Sequence, residues 1–311
     1  MSAIRYQAVG EEFDGQRLDN FLLRELKGAP KSLIYRLIRT GEVRVNKGRS
    51  KPDRKLKPGD VVRIPPVRIE ERDADPAPGL SLQRLLDQSI VYESAKLIVL
   101  NKPAGLAVHG GSGIHLGVIE ALRQLRQEEG LELVHRLDRD TSGCLMIARK
   151  RSMLRYLQSL LREERKIDKQ YLTLVMGKWP VQLTCVDQPL LRGELPNGER
   201  FVRVRAEGKS SRTEYRVLES FADATLLKAK PLTGRTHQIR VHALHSGHAV
   251  AGDEKYGSKD DLQEFKRRGL TRLFLHAWRL RIPMEDDSVL EVESPLPSEL
   301  ENFLKKLRSN E

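Results

Sequence analysis

The run His135-Arg136-Leu137-Asp138-Arg139-Asp140-Thr141-Ser142-Gly143 sets a carboxylate inside an otherwise cationic turn. Neighbouring guanidinium groups, Arg136, Arg139 and arginines more distant in the chain, favour the ionised form of Asp138. An ionised carboxylate is what nucleophilic catalysis by aspartate requires. Asp140, two residues on, raises another chemistry, since paired carboxylates serve metal hydrolases and glycosidases. Against that pairing, the crowding of Arg136 and Arg139 and the Thr141-Ser142-Gly143 turn suit a loop that caps itself through side-chain to backbone hydrogen bonds, with Asp140 structural. His237, His242, His245 and His248 crowd a basic stretch, but no HExxH, CxxC or acidic partner at ligand spacing accompanies them, so packing or contact with an anionic partner is expected rather than a metal. Gly110-Gly111-Ser112-Gly113 lacks the Gly-Lys-Ser/Thr that grips a nucleoside triphosphate, and is expected to be a partner-contacting or plain turn.

These residues have to be held by ordered elements, and the periodicity of the chain indicates which. Leu18, Phe21, Leu22 and Leu26 recur at helical spacing, Gly28 and Pro30 interrupt, and Leu33, Ile34, Leu37 and Ile38 resume before Gly41, which predicts a pair of short helices. Val43 to Gly48 alternates and turns like a β-hairpin, and Val61-Val62-Arg63-Ile64 reads as a strand. Residues 65–88 open on Pro65-Pro66 and pass through a charged, Pro- and Gly-containing stretch of linker composition. Beyond Ile90, strand-like runs at 98–100, 144–148, 172–175 and 224–229 interleave with fewer helices, expected at 116–129, 152–164 and 236–246. That pattern predicts an α+β domain with a mainly antiparallel sheet. The expected division is an N-terminal extension over 1–16, a small basic domain over 17–68, a linker over 69–88 and a catalytic domain over 89–311.

Composition narrows the partners. A chain of 311 residues is long enough for two domains, at roughly 100–200 residues each. Its 55 Lys and Arg against 43 Asp and Glu leave a formal charge of +12, which favours an anionic partner such as nucleic acid. Residues 17–68 hold 15 of the cations and 5 of the anions, so the excess sits in one segment. Two cysteines, Cys144 and Cys185, argue against a disulfide framework and are expected to be buried small apolar groups. No basic-then-apolar leader and no run of about 18 apolar residues is present, so the expectation is a cytoplasmic protein without a membrane partner.

The 135–143 run, together with Val99-Leu-Asn-Lys-Pro-Ala-Gly105, Val108-His-Gly-Gly111, Lys169-Gln-Tyr-Leu172, Gly234-Arg-Thr-His-Gln-Ile-Arg-Val-His242 and Gly252-Asp-Glu-Lys-Tyr-Gly257, resembles the pseudouridine synthases of the bacterial large-subunit rRNA type. The segment 17–68 resembles an S4-type RNA-binding module. There Lys31, Arg36, Arg39, Arg44, Lys47, Arg49, Lys51 and Arg54 would face phosphates. The resemblance implies an isomerase that detaches uracil N1 from ribose C1′, turns the base and rejoins it through C5, with no cofactor. Asp138 corresponds to the catalytic aspartate, acting at C1′, at C6 or as the base of a glycal-forming elimination. Tyr171 corresponds to the tyrosine that stacks on the target uracil and Arg240 to the partner of the aspartate; spacing alone does not rank Arg240 above Arg235. Arg136 corresponds to the arginine that enters the space left by a flipped nucleotide. Implied too are large-subunit rRNA or a precursor particle as partner, and a monomer. A synthase acting on tRNA and a non-catalytic assembly factor remain as alternatives.

Overall fold

The computed structural model describes residues 4–26, 29–67, 79–110, 116–163, 166–194 and 200–309. The chain divides into two compact units, Met1–Pro76 and Ala77–Glu311.

In the first unit the helix α1, Leu18–Glu25, buries Leu18, Phe21 and Leu22, and α2, Lys31–Thr40, buries Ile34, Leu37 and Ile38. These are the apolar positions of the helical repeat, so the two stripes meet in one core with Val43, Val45, Leu56, Val62 and Ile64. Pro30 opens α2 from an extended conformation, and Gly41 ends it at φ +76°, the left-handed cap that glycine adopts without penalty. Beyond it, Asn46 and Lys47 both take positive φ between reciprocal bonds of Val45 and Gly48, a two-residue turn whose twist suits a hairpin. Strands β1, Arg5–Ala8, β2, Arg44–Val45, and β3, Val61–Ile64, form a sheet in the order β1-β3-β2. The expected N-terminal extension thus supplies a strand: β1 lies antiparallel to β3, with Tyr6 opposite Arg63.

The second unit opens with α3, Leu80–Gln88. Part of the stretch with linker composition is therefore helical, because Leu86 has a core to enter and is fully buried there; residues 68–78 lie outside the described residues. There follow β4 (Ile90–Glu93), β5 (Leu97–Lys102), α4 (Val118–Arg126), β6 (Glu132–Leu133), β7 (Ser142–Ala148), α5 (Arg151–Arg162) and β8 (Asp168–Met176). Next come β9 (Cys185–Asp187), β10 (Leu190–Glu194), β11 (Arg200–Val204), β12 (Arg212–Ser220) and β13 (Ala224–Pro231). The chain ends with α6 (Gln238–His245), α7 (Lys259–Arg267), β14 (Leu275–Pro283), β15 (Val289–Glu293) and α8 (Ser298–Ser309).

The main sheet runs β4-β5-β7-β14-β8-β13-β12-β9, with β15 beside β14 and β6 beside β7. Among the described pairs only β7 and β14 are parallel, so the α+β class and the mainly antiparallel sheet agree with the sequence. β7 is buried at every residue, and α4 and α5 pack on it and on β5 in the largest apolar cluster. Helix α6 shares a second cluster with β8, β12 and β13. A strand buried on both faces is rigid, and its entrance is the 135–143 loop.

Candidate active site

Asp138 lies in that loop, between the buried Leu137 and the turn into β7. The loop is fastened from several sides. Lys102 Nζ at the end of β5 donates to the carbonyl oxygens of Pro103 at 2.8 Å, Leu106 at 2.9 Å and Arg139 at 2.9 Å. Three acceptors match the three N–H bonds of an ammonium; burial, with Arg272 adding, pushes the Lys102 pKa down to about 7. Arg272 donates to the Asp140 carbonyl and, at 2.8 Å, to Ser142 Oγ, which also bonds His276. Gly143 has φ +108° and a Cβ there would stand 2.2 Å from the Ala277 carbonyl oxygen, so only glycine lets β7 lie against β14 at this point. The His135 ring accepts the Met146 N–H, and burial drives its pKa down to about 3.

The cation that meets Asp138 comes from 102 residues downstream. Arg240 Nη1 donates to Asp138 Oδ2 at 3.3 Å, while its Nε and Nη2 grip both oxygens of Asp253 at 2.7 Å. Asp253 is fully buried and also accepts the N–H groups of Lys255 and Tyr256. Burial opposes the Arg240 charge, but the hydrogen bonds and charges of Asp253, with Asp138 adding, outweigh it and raise the Arg240 pKa. The local arginines expected around Asp138 do not pair with it. Arg139 turns outward to Asp140 at 3.2 Å, and Arg136 is exposed with no hydrogen bond or ion pair to a described residue. Arg235, which spacing could not separate from Arg240, donates to the Ser210 carbonyl instead. The loop, expected to cap itself through side-chain to backbone bonds, is closed by a backbone bond from the Thr141 N–H to the Asp138 carbonyl, and Asp140 is held through its own carbonyl by Arg272 and through its side chain by Arg139.

Arg240 is aimed by the way α6 begins. Gln238 accepts from Thr233 Oγ1 and the Arg235 N–H and donates to the Arg212 carbonyl and Thr213, stapling the turn to β12. His237 takes φ +53° just before the helix, a costly conformation for a residue with a Cβ. Its Nε2 stands 3.8 Å from Asp138 Oδ2 and its Nδ1 2.8 Å from the Tyr256 hydroxyl. The Tyr256 hydroxyl that meets His237 Nδ1 also accepts the Val202 N–H, which ties the His237 ring to β11. Burial lowers the His237 pKa against the pull of Asp138. The other three histidines do not converge on it: His242 is buried on Ser211, Thr213 and Gln188, His248 bonds the Met176 carbonyl, and His245 is exposed. Among the described residues no group of His, Cys, Asp and Glu has the arrangement to hold a metal ion.

Tyr171, mid-strand in β8 between β13 and β14, lines a cavity of about 500 Å³ with Asp138, Arg136, His237 and Arg240. Burial, and then the charge of Asp138, push its phenol pKa up, so it stays protonated. Lys169 shares the cavity; burial lowers its pKa, and no partner for its ammonium exists among the described residues. On the other side of Asp138 a wider cleft of about 1190 Å³ is lined by Lys102, Arg139, Lys255, Arg272 and again Arg136, His237 and Arg240. The outer cleft also holds Asp140, Asp253, Glu254 and Glu299, while Asp138 is the carboxylate common to both recesses, placed to attack an electrophilic carbon or take a proton from a group in the inner one. Sequence reasoning gave no role to Asp253, Lys102, Tyr256 or Lys169, although all four lie in the motif blocks at 99–105, 169–172 and 252–257.

In the first unit Lys31, Arg36, Arg39, Arg44, Lys47, Arg49 and Lys51 are exposed and form no ion pair with a described residue. Arg54 differs, being held by Ser50 and by Asp60 at 3.6 Å. The Gly110–Gly113 stretch lies mostly outside the described residues.

Comparison with known proteins agrees with this architecture. The family described as RNA pseudouridylate synthase matches residues 96–245, and the S4 domain matches residues 16–62. A Haemophilus influenzae protein named ribosomal large subunit pseudouridine synthase C is 51% identical over 99% of this chain and 97% of its own. Its Vibrio cholerae namesake is 50% identical over 99% of each. Human RNA pseudouridylate synthase domain containing 4 superimposes with a TM-score of 0.60 at 28% identity, covering 73% of this chain and 96% of its own. The chain belongs to the RNA pseudouridylate synthase family. It is an RNA uridine isomerase that carries an S4 domain.

Proposed function

We propose that this protein converts uridines of large-subunit ribosomal RNA to pseudouridine, with Asp138 as the catalytic carboxylate. The observation that carries the catalytic part is Asp138, paired with Arg240 and facing the cavity that holds Tyr171. The substrate class follows from the names of the relatives that match over nearly the full chain.

In this reading the target uridine leaves its stack, because a paired base hides the glycosidic bond. Arg136, exposed and unengaged at the mouth of the cavity, takes its place against the neighbouring bases. The uracil lies on the Tyr171 ring, where a neutral phenol offers a π-face and a hydrogen bond. Asp138, oriented by Arg240 and with His237 Nε2 beside it at 3.8 Å, reacts at C1′, at C6 or as the base of an elimination. The base then turns and C5 bonds to C1′; the step is an isomerisation and requires no cofactor. Lys31, Arg36, Arg39, Arg44, Lys47, Arg49, Lys51 and, less freely, Arg54 neutralise phosphates of folded rRNA.

The test is pseudouridine mapping of total RNA from a strain lacking this protein, complemented with wild type or with Asp138→Asn. Large-subunit sites lost in the deletion should return with wild type and stay absent with the variant. Loss of sites in tRNA alone would move the substrate, and restoration by Asp138→Asn would remove Asp138 from the chemistry.

A further inference from the structure

The outer face of the three-stranded sheet in the first unit sets Arg44 and Lys47, already among the phosphate-facing cations, beside Tyr6 and Arg63, which that reading does not use. β1, β3 and β2 bring Tyr6, Arg63 and Arg44 into one row, Tyr6 opposite Arg63 and Arg63 opposite Arg44. The alternate residues Val62, Ile64 and Val45 point into the core, so this row faces out. Tyr6 is 64% exposed and Val61, two residues before Arg63, is 41% exposed. Tyr6, Arg44, Asn46, Lys47, Val61 and Arg63 line a groove of about 640 Å³, within the usual range of ligand pockets.

The cations in that groove are not neutralised. Arg63 donates to the Glu42 backbone carbonyl, and Arg44 to those of Gly41 and Lys47. None of the three cations forms an ion pair with a described residue, and the nearby Asp60 is taken up by Asn46, the Lys57 N–H and Arg54. An exposed aromatic ring ringed by uncompensated cations fits a nucleotide: the base stacks on the ring and the phosphates meet the guanidinium groups. A duplex presents only its phosphates there, because its bases are stacked on each other.

We infer that this sheet face is a second RNA site, one that takes an unpaired nucleotide on Tyr6 with Arg44, Arg63 and Lys47 on its phosphates. It rests on the reading of the first unit as RNA-binding, but not on Asp138 chemistry. The test uses the full-length protein and a fluorescein-labelled octa-adenylate, which has no uridine for the catalytic cavity, beside a G·C duplex of the same length. Tyr6→Ala should weaken binding of the single strand about tenfold, leave the duplex unchanged and leave the salt dependence of both intact; Tyr6→Trp should restore the single strand. Arg63→Ala should lower the salt slope for both. Equal affinity of Tyr6→Ala and wild type for octa-adenylate, or equal losses on strand and duplex, would overturn the inference. In each case pseudouridine formation by Tyr6→Ala in a short stem-loop should match wild type, which separates this site from the catalytic one.

Discussion

Asp138, Arg240 and Asp253 form a chain in which each charge orients the next. The Arg240 guanidinium is nearly enclosed and Asp253 fully so, and such a pair is costly to break because the surviving charge stays buried. Asp253→Asn is therefore expected to lower stability by about 3–5 kcal/mol in denaturant unfolding, and to slow pseudouridine formation even where the protein remains folded. A change no larger than that of a surface substitution would mean that Arg240 finds other acceptors. Asp138 was legible in the sequence because its own neighbours marked it. Asp253 stood in the motif block at 252–257, but its role was not legible, because its partner is a side chain 13 positions away whose burial no local pattern announces.

The 135–143 loop works as an element through its attachment to β5, β7 and β14, and Gly143 is where that attachment is tightest. Gly143→Ala would combine a positive φ with a Cβ 2.2 Å from the Ala277 carbonyl oxygen. The expected cost is about 2–5 kcal/mol, read as a lowered denaturation midpoint, with activity lost in parallel because the displaced strand carries Asp138 with it. Unchanged stability would show that β14 can yield. The runs at 98–100, 144–148, 172–175 and 224–229 were readable as β5, β7, β8 and β13, and α1, α2, α4, α5 and α6 as periodic stretches. Other elements were missed, among them β1, α3, α7 and α8: β1 is a short strand paired with β3, and α3 lies at the end of a segment whose average composition is that of a linker.

At the scale of the molecule, buried histidines set the acid limit of stability. His276 is fully buried on Ser142 and the Ser294 carbonyl, and burial pushes its pKa down to about 4; His135 shifts the same way. Below the ordinary histidine range the unfolded chain binds protons that the folded one refuses, so stability present at neutral pH is lost as pH falls from about 6.5 towards 4. For His276 alone this amounts to about 2–3 kcal/mol over that span. Denaturant unfolding at pH 7 and pH 4.5 should show the fall, and His276→Gln should flatten it; an identical slope in the variant would assign the acid loss elsewhere.

What the sequence determined by itself was what its local order can carry: the α+β class, two helices with a basic surround, a carboxylate in a cationic turn, and motif blocks long enough to mark the family. Those depend on neighbours within a few residues, where periodicity and turn chemistry act. The tertiary structure alone decided which arginine meets Asp138, since Arg136 and Arg139 lie beside it in the chain without pairing with it, while Arg240 arrives through the β8-β13-β12 sheet and the start of α6. It also put Tyr6, Arg63 and Arg44 in one row. Contacts between distant residues depend on strand register and helix placement, which are set by how the whole core packs and not by any one stretch of chain.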